Sequence, residues 1–235
     1  MQSRIEDLLK MYRTTLHKDS PTTPNHSQLL FVLTNHNSLI VFVSHHAALF
    51  IMIIHTVGAS GSGTTTTGKA LAEKLGIPCY DGDDYFWLEG TAEPYSVKRD
   101  EEERDNMLLR DMAKQPDCVV AGSMPTWSNK ITSQFDCIVF LELPLDVRMA
   151  RLRNREEQRY GDTLRTDPAM GLKSENFLSW AESLSYPHCT SSRGHDYHLR
   201  WLDNCGVPVL KLGDMTVDER VDEIIRFTKS TSTIA

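Results

Sequence analysis

Gly58-Ala59-Ser60-Gly61-Ser62-Gly63-Thr64-Thr65 is the stretch whose reading decides the fold. It follows a short apolar run, Ile51-Met52-Ile53-Ile54-His55-Thr56-Val57, and leads into residues 66–75, which read as a helix. A strand, a glycine-rich loop and a helix start form the context in which such a loop binds phosphate. Glycine adopts positive φ at little cost, so the loop can fold back with its N–H groups pointing inward. The helix start adds unpaired donors and roughly half a positive charge. A simple connector between strand and helix needs fewer glycines and hydroxyls than this. The expected product is a cradle for a polyphosphate, built from Gly58, Ser60, Gly61, Ser62, Gly63, Thr64, Thr65 and Thr66.

The pattern departs from G-x-x-x-x-G-K-[ST] at one position. Thr64 stands where lysine is usual, and Thr65 stands where the magnesium-binding hydroxyl belongs. A second register, Gly63 to Gly68-Lys69-Ala70, restores the lysine but loses that hydroxyl and puts its second glycine inside the helix. The first register is the better one. The stretch resembles the phosphate loop of the nucleoside monophosphate kinase and shikimate kinase group, and archaeal-type cytidylate kinases are similar in carrying threonine at the lysine position. That resemblance implies ATP and Mg2+ as cofactors, with Thr65 on the metal.

From residue 50 onward, short apolar runs alternate with helical patterns. Strands are expected at 51–57, 78–81, 118–122, 137–143 and 207–212, and helices at 65–75, 99–114, 145–159, 173–185, 195–204 and 217–229, the last capped by Thr216 with Glu219 three residues on. Continuous hydrophobicity along the strands means that both faces are covered, as in a parallel sheet between helix layers. The expected fold is α/β, a three-layer α/β/α arrangement on a five-stranded parallel sheet. The resemblance adds that this is the P-loop NTPase fold with a helical lid at about residues 160–205.

Ligands bind beyond the carboxyl ends of strands in such sheets. After the second strand comes Asp81-Gly82-Asp83-Asp84, carboxylates that repel one another unless a cation or a donor-rich substrate lies among them. A solvated acidic turn would use the same residue types. The turn resembles the Asp-x-Asp of shikimate kinases and the Asp-Gly-Asp of gluconate and adenylylsulfate kinases. Carried over, Asp81 would lie near the metal and the attacking hydroxyl, Asp83 would contact the acceptor, and Asp84 is an extra acid beside them.

Arg99 and Arg104 are candidates to hold an acceptor phosphate or carboxylate, within a run that salt-bridged helix surface also explains. Ala121-Gly122-Ser123-Met124-Pro125-Thr126-Trp127 resembles the glycine-rich turn by which shikimate kinases approach substrate, which makes Gly122, Ser123 and Trp127 substrate-binding candidates, although closing the core is the somewhat better reading of Trp127. Arg148, Arg151, Arg155 and Arg159 are spaced to share one helix face. They resemble the lid arginines of nucleotide kinases, which implies catalytic roles for Arg151 and Arg155.

The expected domains are an N-terminal extension at 1–49, disordered or loosely packed and an appended or mispredicted start, and a kinase-like domain at 50–235. Leu39 to Val57 approaches the length a bilayer needs, but it contains Ser44, His45, His46 and His55, and its end is required as a strand. No membrane or secretory segment is expected, since Glu6, Asp7 and Lys10 interrupt a signal-peptide pattern. The net charge of −7 argues against bulk nucleic-acid binding. Five cysteines without a C-x-x-C pair read as reduced packing residues of a cytoplasmic protein. The expected partner is a small-molecule phosphoryl acceptor, which no motif identifies.

Overall fold

The computed structural model describes residues 31–35, 38–42, 52–91, 95–186 and 189–232. Most of the N-terminal extension expected at 1–49 lies outside them. The chain divides into two units, Met1–Ile51 with Ile234–Ala235, and Met52–Thr233. In the first, β1 (Phe31–Asn35) pairs antiparallel with β2 (Ser38–Phe42), an element that the reading of the sequence did not include.

The second unit contains β3 (Ile53–Gly58), α1 (Thr64–Leu75), β4 (Cys79–Asp81), α2 (Gly82–Phe86), α3 (Glu101–Met112), β5 (Cys118–Ala121), α4 (Asn129–Thr132), β6 (Cys137–Leu141), α5 (Leu145–Tyr160), α6 (Thr163–Thr166), α7 (Pro168–Ser183), α8 (His195–Leu202), β7 (Val209–Leu212) and α9 (Val217–Ser232). The sheet order is β4-β5-β3-β6-β7, parallel throughout. This is the three-layer P-loop NTPase fold, with β3 in the middle.

Continuous burial along β3, β5 and β6 matches their unbroken apolar runs. One core cluster, with Leu71, Val139, Leu141 and Ile224, packs α1 and α9 on one face. The other, with Leu108, Met124, Ile131 and Phe140, lies on the opposite face with α3 and α4. At the amino end of the sheet, Asp117 and Asp136 accept the N–H groups of Met52 (2.6 Å) and Ile53 (2.7 Å), so β3 starts with its donors satisfied.

Several boundaries differ from the sequence reading for local reasons. The acidic turn is helical, because Asp81 accepts the N–H of Asp83 (3.1 Å) and caps α2. Helix α3 starts at Glu101, where Asp100 accepts the amides of Glu102 and Glu103. Helix α7 begins at Pro168 rather than near 173, since Asp167 caps it and proline suits a first turn. The capping box at α9 is present, with Glu219 accepting from the Thr216 N–H (2.9 Å) and Thr216 Oγ1 accepting from the Glu219 N–H (3.3 Å). No helix among the described residues is long and apolar enough to cross a membrane.

Candidate active site

Between β3 and α1 the chain closes on itself, with the Ser62 N–H donating to Ala59 O (3.0 Å) and the Thr67 N–H to Gly63 O (2.9 Å). Among the described residues, the amides of Gly61, Gly63, Thr64 and Thr65 have no protein acceptor. They lie at the open end of a 12-residue helix, where the macrodipole favours an anion. Two glycines make the path possible. A Cβ on Gly58 would lie 2.5 Å from Ser62 Oγ and 2.6 Å from Leu141 O. Gly61 has φ 85°, and a Cβ there would lie 2.8 Å from Arg148 O. The loop is thus pressed against α5 on one side while its donors stay open on the other.

The carbonyls are held from outside. Arg148 Nη1 donates to Ser60 O (2.8 Å), and its Nη2 donates to Ser185 Oγ. Arg220, from α9, donates to Ser62 O (3.0 Å) through Nη1 and to Gly213 O (3.2 Å) through Nη2. Arg151 Nη2 bonds Asp214 Oδ1 (3.2 Å). A Cβ on Gly63 would lie 3.2 Å from Arg220 Nη1 and 3.9 Å from Arg151 Nη1.

The carboxyl end of β4 carries the acids. Ladder pairing puts Asp81 level with Ala121 of β5, which is level with Thr56 of β3. Asp81 and the loop therefore lie at the carboxyl end of the sheet, on strands two spacings or ~10 Å apart. Gly122, with φ 118°, turns away there, and a Cβ on it would lie 3.9 Å from Asp81 Oδ1. Asp83 Oδ1 accepts from Arg193 Nη2 (3.3 Å), whose guanidinium also lies over Phe86 (5.4 Å). Burial and then the Asp81 charge raise the Asp84 carboxyl above its usual range, with Lys69 opposing.

Ser123 Oγ lies 2.9 Å from His198 Nε2, and His195 Nε2 lies 2.6 Å from Glu142 Oε1. These contacts fasten α8 to the ends of β5 and β6. His198 is buried, and desolvation lowers its pKa to about 4. His55, stacked on Phe135 at 4.3 Å with Nδ1 donating to Val120 O, is lowered to about 3 for the same reason.

Both histidines have depressed folded-state values, so the unfolded chain binds more protons between about pH 4 and 6.5. Stability is therefore expected to be full above pH 6.5 and to fall as pH drops, by up to ~1.4 kcal/mol per pH unit per histidine. Urea melts at pH 7.5, 5.5 and 4.5 check this. Equal midpoints would show that burial does not hold the two rings neutral.

Three expected ligand contacts are placed elsewhere. Arg104 is 3% exposed, bonded to Asp105 Oδ1 (2.8 Å) and stacked 4.1 Å from the centre of Trp127, itself 6% exposed. Both belong to the core, because a desolvated guanidinium gains from a carboxylate and an aromatic face together. Arg99 is spent on Tyr85 O, Trp87 O and Glu103. The arginine stripe also divides. Arg148 is buried beneath the loop, whereas Arg151, Arg155 and Arg159 stay exposed, Arg155 against Phe177 and Arg159 against Tyr95 and Tyr160.

Arg220, Arg193 and His198 were not assigned from sequence. Arg220 left a signal, since it falls on the apolar face of α9 among Val217, Val221 and Ile224, where a charge needs a reason. The other two meet their partners only through the tertiary fold.

Residues 60–179 match the family model of shikimate kinase. The chain belongs to the shikimate kinase family of P-loop kinases. It is also 36% identical over 178 residues to the uncharacterized protein YqaC of Bacillus subtilis, covering 75% of this chain and 97% of that protein. A shikimate kinase of Psychrobacter cryohalolentis is 29% identical over 107 residues, 42% of this chain and 58% of that one. Among solved structures, the shikimate kinase from Acinetobacter baumannii in complex with shikimate is 17% identical with a TM-score of 0.49, covering 77% of this chain and 94% of that chain.

Proposed function

We propose that this protein transfers the γ-phosphoryl group of ATP to a hydroxyl of a small metabolite or nucleotide. One observation carries the reading. Open loop amides and the Asp81 carboxylate lie at the same carboxyl end of one parallel sheet, with the Gly122 turn beside them. Asp81 uses one oxygen to cap α2, and its other oxygen has no protein partner among the described residues.

In this reading the amides of Gly61 to Thr65 receive the phosphates. Thr65 and Asp81 would hold magnesium, which when bound offsets phosphate charge. Asp81 or Asp83 orients the acceptor hydroxyl and takes its proton as the new O–P bond forms and the bond to the ADP oxygen breaks. Arg151 and Arg155 face the transferring group. Most of the catalysis is positioning and charge stabilisation. Residues at about 160–205 act as the lid, and the Arg193–Asp83 ion pair is the contact by which it reaches the acid.

The test is ADP release from Mg-ATP with hydroxy acids, nucleosides and nucleotides offered singly. Acceptor-dependent ADP release with a matching phosphomonoester supports the proposal. A second reading, a nucleotide-binding module without turnover, is favoured by Thr64 in the lysine position. It predicts ATP binding and no acceptor-dependent release.

A further inference from the structure

Arg148 and Arg220 come from helices far apart in the chain and meet the same loop. Each is 1% exposed. Among the described residues, neither has a carboxylate within salt-bridge reach, and Arg220 Nε has no partner at all. Burial lowers the pKa of both, and for Arg220 the neighbouring Arg151 lowers it further while Asp214, itself bonded to Arg151, opposes. Two guanidinium groups taken out of water without a bonded carboxylate are costly, so an anion close by is the arrangement that offsets them.

Their hydrogen bonds show how they would act on it. Ser60 O belongs to the same peptide group as the Gly61 N–H, and Ser62 O to the same group as the Gly63 N–H. Arg148 binds the first carbonyl and Arg220 the second. A cation on the oxygen polarises the peptide and strengthens its N–H as a donor. Those two N–H groups are among the ones that the loop leaves open.

We propose that Arg148 and Arg220 are positioning residues that supply, from behind the loop through the Ser60 and Ser62 carbonyls, the positive charge that a lysine at position 64 would supply from in front. This rests on reading the loop as an ATP phosphate cradle. It goes further in explaining how the loop does without its lysine, and it accounts for two buried cations that make no salt bridge among the described residues.

Isothermal titration of the full-length chain with Mg-ATP and with AMP tests it, because a charge effect grows with the number of phosphates whereas a packing defect does not. Arg220→Gln is expected to weaken Mg-ATP roughly ten- to a hundredfold and AMP less than about threefold, with most of the loss recovered in Arg220→Lys. Thr64→Lys should change the wild type less than about threefold yet restore about tenfold in Arg220→Gln, as expected of two cations serving one anion. Equal losses for Mg-ATP and AMP, shared by Arg220→Gln and Arg220→Lys, would overturn the proposal. If Arg220→Gln does not fold, Thr64→Lys alone decides: a gain of about tenfold or more in the wild type overturns the proposal, and a flat response supports it. A wild type that does not bind Mg-ATP would overturn the cradle and this proposal together, an outcome distinct from binding that ignores Arg220.

Discussion

Asp81→Asn is expected to lower acceptor phosphorylation by roughly 10²- to 10⁴-fold, the range seen when a general base is removed. The substitution leaves the fold in place. Asp81 caps α2 by accepting the Asp83 N–H (3.1 Å), and asparagine caps as well as aspartate does. Loss of rate with an unchanged melting temperature would therefore belong to the charge. Asp83→Asn should be milder in rate and should also loosen the contact with Arg193, because its carboxylate is half-exposed and shared with that guanidinium. Steady-state rates of both variants, beside their melting temperatures, check this. Full turnover in Asp81→Asn would remove it from the chemistry.

Gly61→Ala is expected to destabilise the domain by about 2–5 kcal/mol and to abolish nucleotide binding. The residue has φ 85°, which costs a side chain ~1–2 kcal/mol. Its Cβ would then lie 2.8 Å from Arg148 O and 3.0 Å from Leu152 Cγ, overpacking that costs ~1–3 kcal/mol. Backbone cannot rotate out of the way, so either α5 withdraws from the loop or the loop turns its amides away. Gly76→Ala is the control. Gly76 shares the positive φ (68°) and has nothing within 4 Å of the added Cβ, so only the conformational cost of ~1–2 kcal/mol remains, with binding intact. Denaturant melts of the two variants separate crowding from strain, and equal losses would show that α5 does not press on Gly61.

The part of this architecture legible in the sequence was the part written in local patterns. Unbroken apolar runs gave β3, β5 and β6, because strands covered on both faces need no polar alternation. The glycines at 58, 61 and 63 gave the loop, because no other residue turns so tightly beside a neighbouring strand and helix. Where a residue's role depends on which neighbour it meets, local pattern misled. The spacing of Arg148, Arg151, Arg155 and Arg159 shows a shared side of α5 but not that its first turn runs beneath the loop while the rest faces water. Arg104 read as an acceptor-binding or surface charge, but Trp127 and Phe86 close over it. Ser123 and His198 meet across 75 positions, with no periodicity linking them. The expected acidic turn became α2 because one carboxylate capped it, a choice between solvation and capping that the residues alone leave open.

The central claim is that Gly58–Thr66 forms a working polyphosphate cradle despite Thr64. Titration of Mg-ATP into the full-length protein tests it most directly. The account predicts one saturable site with a dissociation constant between about 1 μM and 1 mM, the range in which enzymes hold such substrates, and weaker binding of AMP. A folded protein that takes up no Mg-ATP at millimolar concentration would contradict it and leave the stretch a glycine-rich turn between a strand and a helix.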